Sequence, residues 1–353
     1  VFLALALSLA PCLAGPQVAM AAPADPQVTA PVTEAGQRLN AMFEQYFEEY
    51  LALNPLFATQ IGDNRYNDRL PNYIGPEYRA QVHEMNERYL AAVREFDPAS
   101  LSGEDRISYE IFLRERLRGR ESERFPDYLL PLEQTFGLPA TMPALGSGAN
   151  AQPFVTVTDY ENWLKRLDGF VVFMDQAIVN MRAGVAKGVV QPRPIMEKVL
   201  PQLDGMIVEK AEDSPFFAPV SRFPDTVPVA ERGRLKAEYR TAIEGKVIPA
   251  YRRVRDYVRD EYMPKTRTTV AWTALPDGKA WYAFLAKGHT TTDMTPEQIH
   301  EIGLAEVARI RHEMDVVRRQ VGFEGDLQAF FRHLESDPQF YFTKGSDLVQ
   351  GYH

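Results

Sequence analysis

The sequence predicts an all-α fold of long helices joined by Pro-rich loops, and three observations predict it. Apolar residues recur at intervals of three and four in one stretch after another of the 353 residues, the repeat of a helix with one buried face. No convincing apolar–polar alternation marks a half-buried strand, and no Asn-Gly or Asp-Gly turn joins two such runs. Proline-rich segments separate the periodic stretches, as expected of a residue that lacks an amide proton and clashes with the preceding helical turn.

The first residues, VFLALALSLAPCLAGPQVAMAAPADP, are uncharged and apolar and then become small and Pro-rich, as a secretory signal does toward its cleavage site. Ala19-Met20-Ala21 fits the small-x-small pattern, so residues 1–21 are expected to be a signal peptide, incomplete at its N-terminus because no Met or basic region precedes Val1. Pro11 and Gly15 interrupt the apolar run, so no stable membrane anchor is expected after cleavage. Cys12, the one cysteine, lies inside this signal and leaves the mature chain without a disulfide or thiolate ligand. Together these features point to a periplasmic or secreted bacterial protein.

Residues 22–38 read as a linker, and 39–353 as a helical domain. Leu39, Met42, Phe43, Tyr46, Phe47 and Tyr50 form an amphipathic helix that Asn54-Pro55 closes. The next segment, from Gly62 to Pro71, is dense in turn formers and is expected to be a loop. Helices follow over about Pro76 to Glu95 and Ser102 to Glu123, the second with Ser102 and Asp105 spaced as a capping box. Phe125 to Pro153 shows no sustained period. Its Gly146-Ser147-Gly148-Ala149-Asn150-Ala151 formally matches a dinucleotide signature, but without a preceding strand the motif lacks its mechanism. Thr158 with Glu161 is expected to open a helix whose stripe, Tyr160, Trp163, Leu167, Phe170, Met174, Ile178 and Met181, is core. A shorter helix through Met196, Val199 and Leu203 and a long run from Val229 to Tyr262, kinked at Pro249, complete this part.

Near the end, LPDGKAWYAFLAKGHTTTDMTPEQIHEIGLAEVARIRHEM combines a Pro-Asp-Gly turn with the best-specified helix start in the chain. Thr295 is the N-cap, Pro296 the first helical residue, Gln298 the reciprocal partner, and Met294 with Ile299 a hydrophobic staple. The last segment from Gly345 begins like another helix, with Ser346 as its N-cap, and stops without a C-terminal signal, so the domain is expected to be cut off before its C-terminal part.

A net charge of -9 without a long basic run argues against nucleic acid as a partner. Zinc hydrolases of the H-E-x-x-H type need a second histidine one helical turn after the first, so that both imidazoles meet one metal. After His300-Glu301 that position holds Leu304, and after His312-Glu313 it holds Val316, so neither dipeptide is a zinc site. Four residues remain as candidates for a substrate cleft. Tyr282 and Tyr341 are possible proton donors, against an ordinary place in the core. His289 precedes the Thr290-Thr291-Thr292-Asp293 run in an expected loop, and Arg193, held between two prolines, offers a carboxylate clamp or a helix C-cap. No catalytic residue and no metal ligand is assigned.

NPLFATQIGDNRYNDRLP, FPDYLLPLEQ, VQPRPIMEKVLPQL and LPDGKAWY with TTTDMTPEQIHEIGLAEVARIRHEM resemble, in order, the sequence blocks of the bacterial domain-of-unknown-function 885 family. That resemblance implies an exported helical protein similar to gluzincin-type zinc metallopeptidases, with helical lobes flanking a deep cleft and a peptide or small amide as substrate. It implies zinc in the full-length protein, on an H-E-x-x-x-H-H-like motif C-terminal to these blocks. No position here matches that motif, so the fragment is expected to be inactive. The competing expectation, from another class, is a non-catalytic periplasmic helical binding or scaffold protein.

Overall fold

The computed structural model describes residues 33–352. The expected signal peptide and residues 22–32 of the expected linker lie outside the described residues. The described chain is all-α: its one pairing of extended backbone is an isolated bridge between Pro192 and Arg267.

An N-terminal layer comprises α1 (Glu34–Leu53), the short α2 (Pro55–Gln60), α3 (Pro76–Val93) and α4 (Gly103–Ser122). Residues 34–38 of the expected linker are therefore helical, because Thr33 caps α1 by accepting the Gly36 amide at 3.0 Å. Leu39, Val93, Leu101 and Tyr109 meet in a small core between these helices. The capping box expected at Ser102 is absent. The Ser102 side chain caps nothing, and Asp105 instead accepts from Asn40 Nδ2 on α1 at 3.0 Å, a contact sixty-five residues away in sequence that local spacing does not reveal.

The centre is α6 (Val157–Lys187), preceded by α5 (Leu138–Leu145). The Phe125–Pro153 stretch thus holds a helix that periodicity missed, because Pro139 and Pro143 obscure it; Pro139 sits in the first turn, where its missing amide costs nothing. Thr156 and Asp159, two residues before the expected Thr158 and Glu161, form the capping box that starts α6. Tyr160, Trp163, Leu167, Phe170, Met174 and Met181 are all buried as the stripe predicts, while Ile178 sits half-buried beside them. Each such side chain contributes about 2 kcal/mol of hydrophobic stabilisation.

Against α6 pack α9 (Val229–Ala242) and α10 (Ile248–Tyr257), while α7 (Arg193–Gly205) packs on α10 and the single-turn α8 (Ala218–Ser221) on α9, all in the same core. The expected kink at Pro249 takes a definite form. Pro249 has no amide to give a preceding carbonyl, and the residues just before it, Ile243–Val247, widen into a π turn. A second π turn, Val258–Tyr262, precedes Pro264. Buried tyrosine hydroxyls tie the layers together: Tyr239 donates to the Tyr160 carbonyl at 3.1 Å and Tyr251 to the Pro139 carbonyl at 2.8 Å.

The C-terminal region holds α11 (Gly278–Thr290), α12 (Pro296–Gln320), α13 (Leu327–Ser336) and α14 (Gly345–Gly351). The Pro-Asp-Gly turn forms as read, with Asp277 left-handed at φ 53° and Gly278 so close to the Trp272 carbonyl that a Cβ would lie 2.2 Å from it. The capping box of α12 forms too: Gln298 N donates to Thr295 Oγ1 at 3.2 Å, and Thr295 N to Gln298 Oε1 at 2.9 Å. Ser346 does not cap α14. Lys344 holds the cap position, and the Ser346 hydroxyl bonds its neighbour Asp347 instead.

Candidate functional site

The four residues singled out by type do not converge. Tyr282 and His289 lie on the same face of α11, seven residues and about 10 Å of rise apart. His289 is helical rather than in a loop, and exposed. Tyr282 and Tyr341 are 43% and 54% exposed, so neither is a core aromatic; the core aromatic of that helix is Trp281, stacked on Phe125 at 5.6 Å. Arg193 lies elsewhere, at the start of α7, where its Nη2 donates to the Met263 carbonyl at 3.2 Å, just beyond the second π turn.

A cleft of about 780 Å³ lies between α3, the C-terminal end of α4 and the segment running from Glu123 to Pro131. Such a volume suits a small organic ligand or a peptide side chain. Its construction starts on α6. Asn180, buried among apolar neighbours, donates to the Ile74 carbonyl and to the Tyr128 carbonyl, each at 3.0 Å, and so clasps both walls. Gln176, one turn earlier, fixes the amide by donating to Asn180 Oδ1 at 2.8 Å. Gly184 allows the Leu129 backbone to approach: a Cβ there would lie 3.1 Å from the Leu129 carbonyl and 2.5 Å from that of Val189.

Charge in the cleft is mixed. The Arg79 guanidinium stacks 3.6 Å over the Tyr128 ring. His83 Nδ1 is 2.9 Å from the Glu123 carboxylate, which holds the imidazolium and raises the His83 pKa. Asp127 lies in this cleft too. Its side of the wall is reached by solvent, yet the protein around it desolvates the carboxyl and raises its pKa, with Arg79 opposing the effect. Burial pushes the Tyr73 hydroxyl up to about 12. The Leu56 backbone lies beside that hydroxyl without reaching hydrogen-bond geometry, so the group is buried and unsatisfied. A perturbed carboxyl and a cation in one concavity form an arrangement that can orient a polar ligand and exchange a proton with it, while the Tyr73 hydroxyl is buried behind the wall.

A second buried polar centre holds the loop behind this cleft. Arg166, on α6 and fully buried, donates Nε to the Arg69 carbonyl at 3.1 Å, Nη1 to Gln152 Oε1, and Nη2 to the carbonyls of Pro55 and Tyr66 and to Thr59 Oγ1. These acceptors are all neutral oxygens, and burial lowers the Arg166 pKa to about 10, so the group stays charged at neutral pH. The polar Gly62 to Pro71 segment is therefore wrapped on a guanidinium, with Asn67 buried in it and accepting from Thr59 Oγ1 at 2.6 Å. Sequence reasoning missed Arg166, Asn180 and Asp127. The first two stand at helical spacing inside an apolar stripe, and Asp127 lies inside the FPDYLLPLEQ block.

Among the described residues no group of three or more His, Cys, Asp or Glu side chains is placed to hold a metal ion. The donor set among these residues does not fit the zinc centre that the family resemblance implies. Nor is any helix among the described residues long and apolar enough to cross a membrane.

A family profile described as "Bacterial protein of unknown function (DUF885)" matches residues 55–353. No curated protein matches the chain. Among solved structures, the chain is similar to "the putative lipoprotein from Colwellia psychrerythraea", with a TM-score of 0.75 at 18% sequence identity. The match covers 90% of this chain and 57% of that one, so the chain spans a little over half the length of its solved relative. At that identity the likeness establishes the fold.

Proposed function

This chain belongs to the DUF885 family, and from that premise we propose that it is the N-terminal helical portion of an exported zinc-dependent peptidase-like hydrolase, contributing a wall of the substrate cleft. The observation that carries the reading is the cleft under Asn180, where a family sequence block, FPDYLLPLEQ, supplies Asp127 and Tyr128 to a concavity already holding Arg79. In this reading Arg79 and Asp127 bind and orient a peptide or small amide, and the zinc ligands lie outside these 353 residues. The chain alone is accordingly inactive.

The test compares the full-length gene product with this chain on a panel of short peptides and amides. The full-length protein is expected to bind about one zinc per chain and to lose hydrolysis on chelation, with Asp127→Asn or Arg79→Ala raising KM, while this chain shows no turnover. Full-length protein with undiminished activity after zinc removal refutes the mechanism. The second reading is a non-catalytic helical binding or scaffold protein. Full-length protein that binds peptides in the cleft without hydrolysing them would support that one.

A further inference from the structure

α12 is 25 residues long and has no buried residue. Its principal neighbours are only α11 at one end and α13 at the other. Between them, every residue from Glu301 to Met314 is exposed on all sides of the helix. The sequence of that helix is nevertheless written for burial. Gly303, Val307, Ile310, Met314, Val317 and Val321 follow one another at spacings of four and three, a seam along one face. On an ideal helix Glu306 and Glu313 border this seam on one side and Arg311 and Arg318 on the other. Val307, Ile310, Met314 and Val317 are 51%, 40%, 41% and 48% exposed. Tertiary packing of an apolar face is what normally stabilises a helix, and here that packing is missing.

We infer that this seam is the docking seat for an amphipathic helix of the part of the family fold that this chain does not span. The inference rests on the reading of the chain as one portion of a larger hydrolase. Two observations commit it to that occupant rather than to a second copy. The solved relative is longer: this chain covers 57% of it, which leaves 43% (100 − 57) without a counterpart here, and that remainder is ample to supply a helix. The seat also begins beside the cleft. Phe125 lines the cleft on one side and, on the other, the hollow formed with Thr295, Pro296 and Glu297 at the start of α12. A helix laid on the seam would reach, about two turns before Gly303, the hollow that shares Phe125 with the cleft. The borders are polar and already paired within α12, Glu306 and Glu313 with Arg309 and Arg318 with Asp315, so the apolar seam between them is the part left for the incoming helix to cover.

The test is hydrogen exchange on two proteins, this chain and the complete gene product that contains it, each at several concentrations. In the complete product the α12 amides are expected to exchange about 100-fold more slowly, or slower still, than in this chain, independently of concentration. The double substitution Val307→Glu with Met314→Glu should abolish that difference while leaving α6 protected. Three results overturn the inference: α12 amides equally fast in both proteins, protection of α12 in this chain that grows with concentration and so reports a second copy, or a reading frame that ends with this chain. Chelation separates the two claims, because removing zinc should stop hydrolysis without exposing α12. Docking without zinc-dependent hydrolysis would refute the proposed activity and leave the seat intact.

Discussion

α6 and α12 begin alike and end up in opposite surroundings. Each is opened by a complete capping box, Thr156 with Asp159 and Thr295 with Gln298, and each carries apolar residues at spacings of three and four. α6 buries its stripe from Tyr160 to Met181 and serves as the axis of the main core, whereas α12 buries nothing. The difference teaches that periodicity identifies a helix and the face it needs covered, and leaves open where the cover comes from. For α6 the cover is α9 and α10 of the same chain. For α12 it is absent among the described residues.

The contrast breaks most severely at Arg166. Arg166→Ala leaves the Arg69 carbonyl and Gln152 Oε1 without their donor, takes one of two donors from the Pro55 and Tyr66 carbonyls, and vacates a fully buried site, at an expected cost of about 4 kcal/mol, read from denaturant unfolding. Arg166→Lys should recover little of this, since an ammonium does not reproduce the guanidinium fork. A matched pair of truncations sharpens the comparison next. Leu167→Ala on α6 should cost about 3 kcal/mol, and Val307→Ala on α12 less than about 0.5 kcal/mol, because the first vacates a packed site and the second an exposed one. Equal losses would show that α12 is covered in solution.

Asn180→Ala follows, with an expected cost of about 2 kcal/mol from two orphaned carbonyls. Because those carbonyls lie one in each wall, the same substitution should speed exchange in residues 72–75 and 127–130 more than elsewhere. The smallest effect is at His83. Glu123 holds its pKa above the ordinary value near 6.5, so the stability this pair adds is fully present below that value and is lost as pH rises through the higher folded one. Histidine ring signals should titrate accordingly, and Glu123→Gln should bring His83 back down.

Much of the fold was legible in the chain. The helix starts at Pro76 and Thr295, the stripe of α6 and the break at Pro249 follow from capping chemistry, helical period and proline sterics, all of which act within a few residues. α4 starts at Ser102 as expected, but its capping box does not form, because Asp105 bonds the distant Asn40 instead of the Ser102 turn. α5 escaped because its prolines resemble a loop. The site was far less legible. Tyr282, His289, Tyr341 and Arg193 stand out by residue type, but the structure scatters them. Arg166 and Asn180, which hold the cleft region together, look like interruptions of an apolar stripe, since their acceptors lie about fifty to a hundred residues away or more. Only the fold brings those carbonyls to the helix.

The measurement that bears most directly on the account is native-state hydrogen exchange of this chain alone, resolved to single helices. Amides of α6 from Trp163 to Met181 should open only with global unfolding, while those of α12 from Glu301 to Met314 should exchange at least about 1,000-fold faster, close to the rate of a fraying helix. Exchange of α12 as slow as that of α6, in dilute monomeric protein, would contradict the claim that this helix awaits its cover.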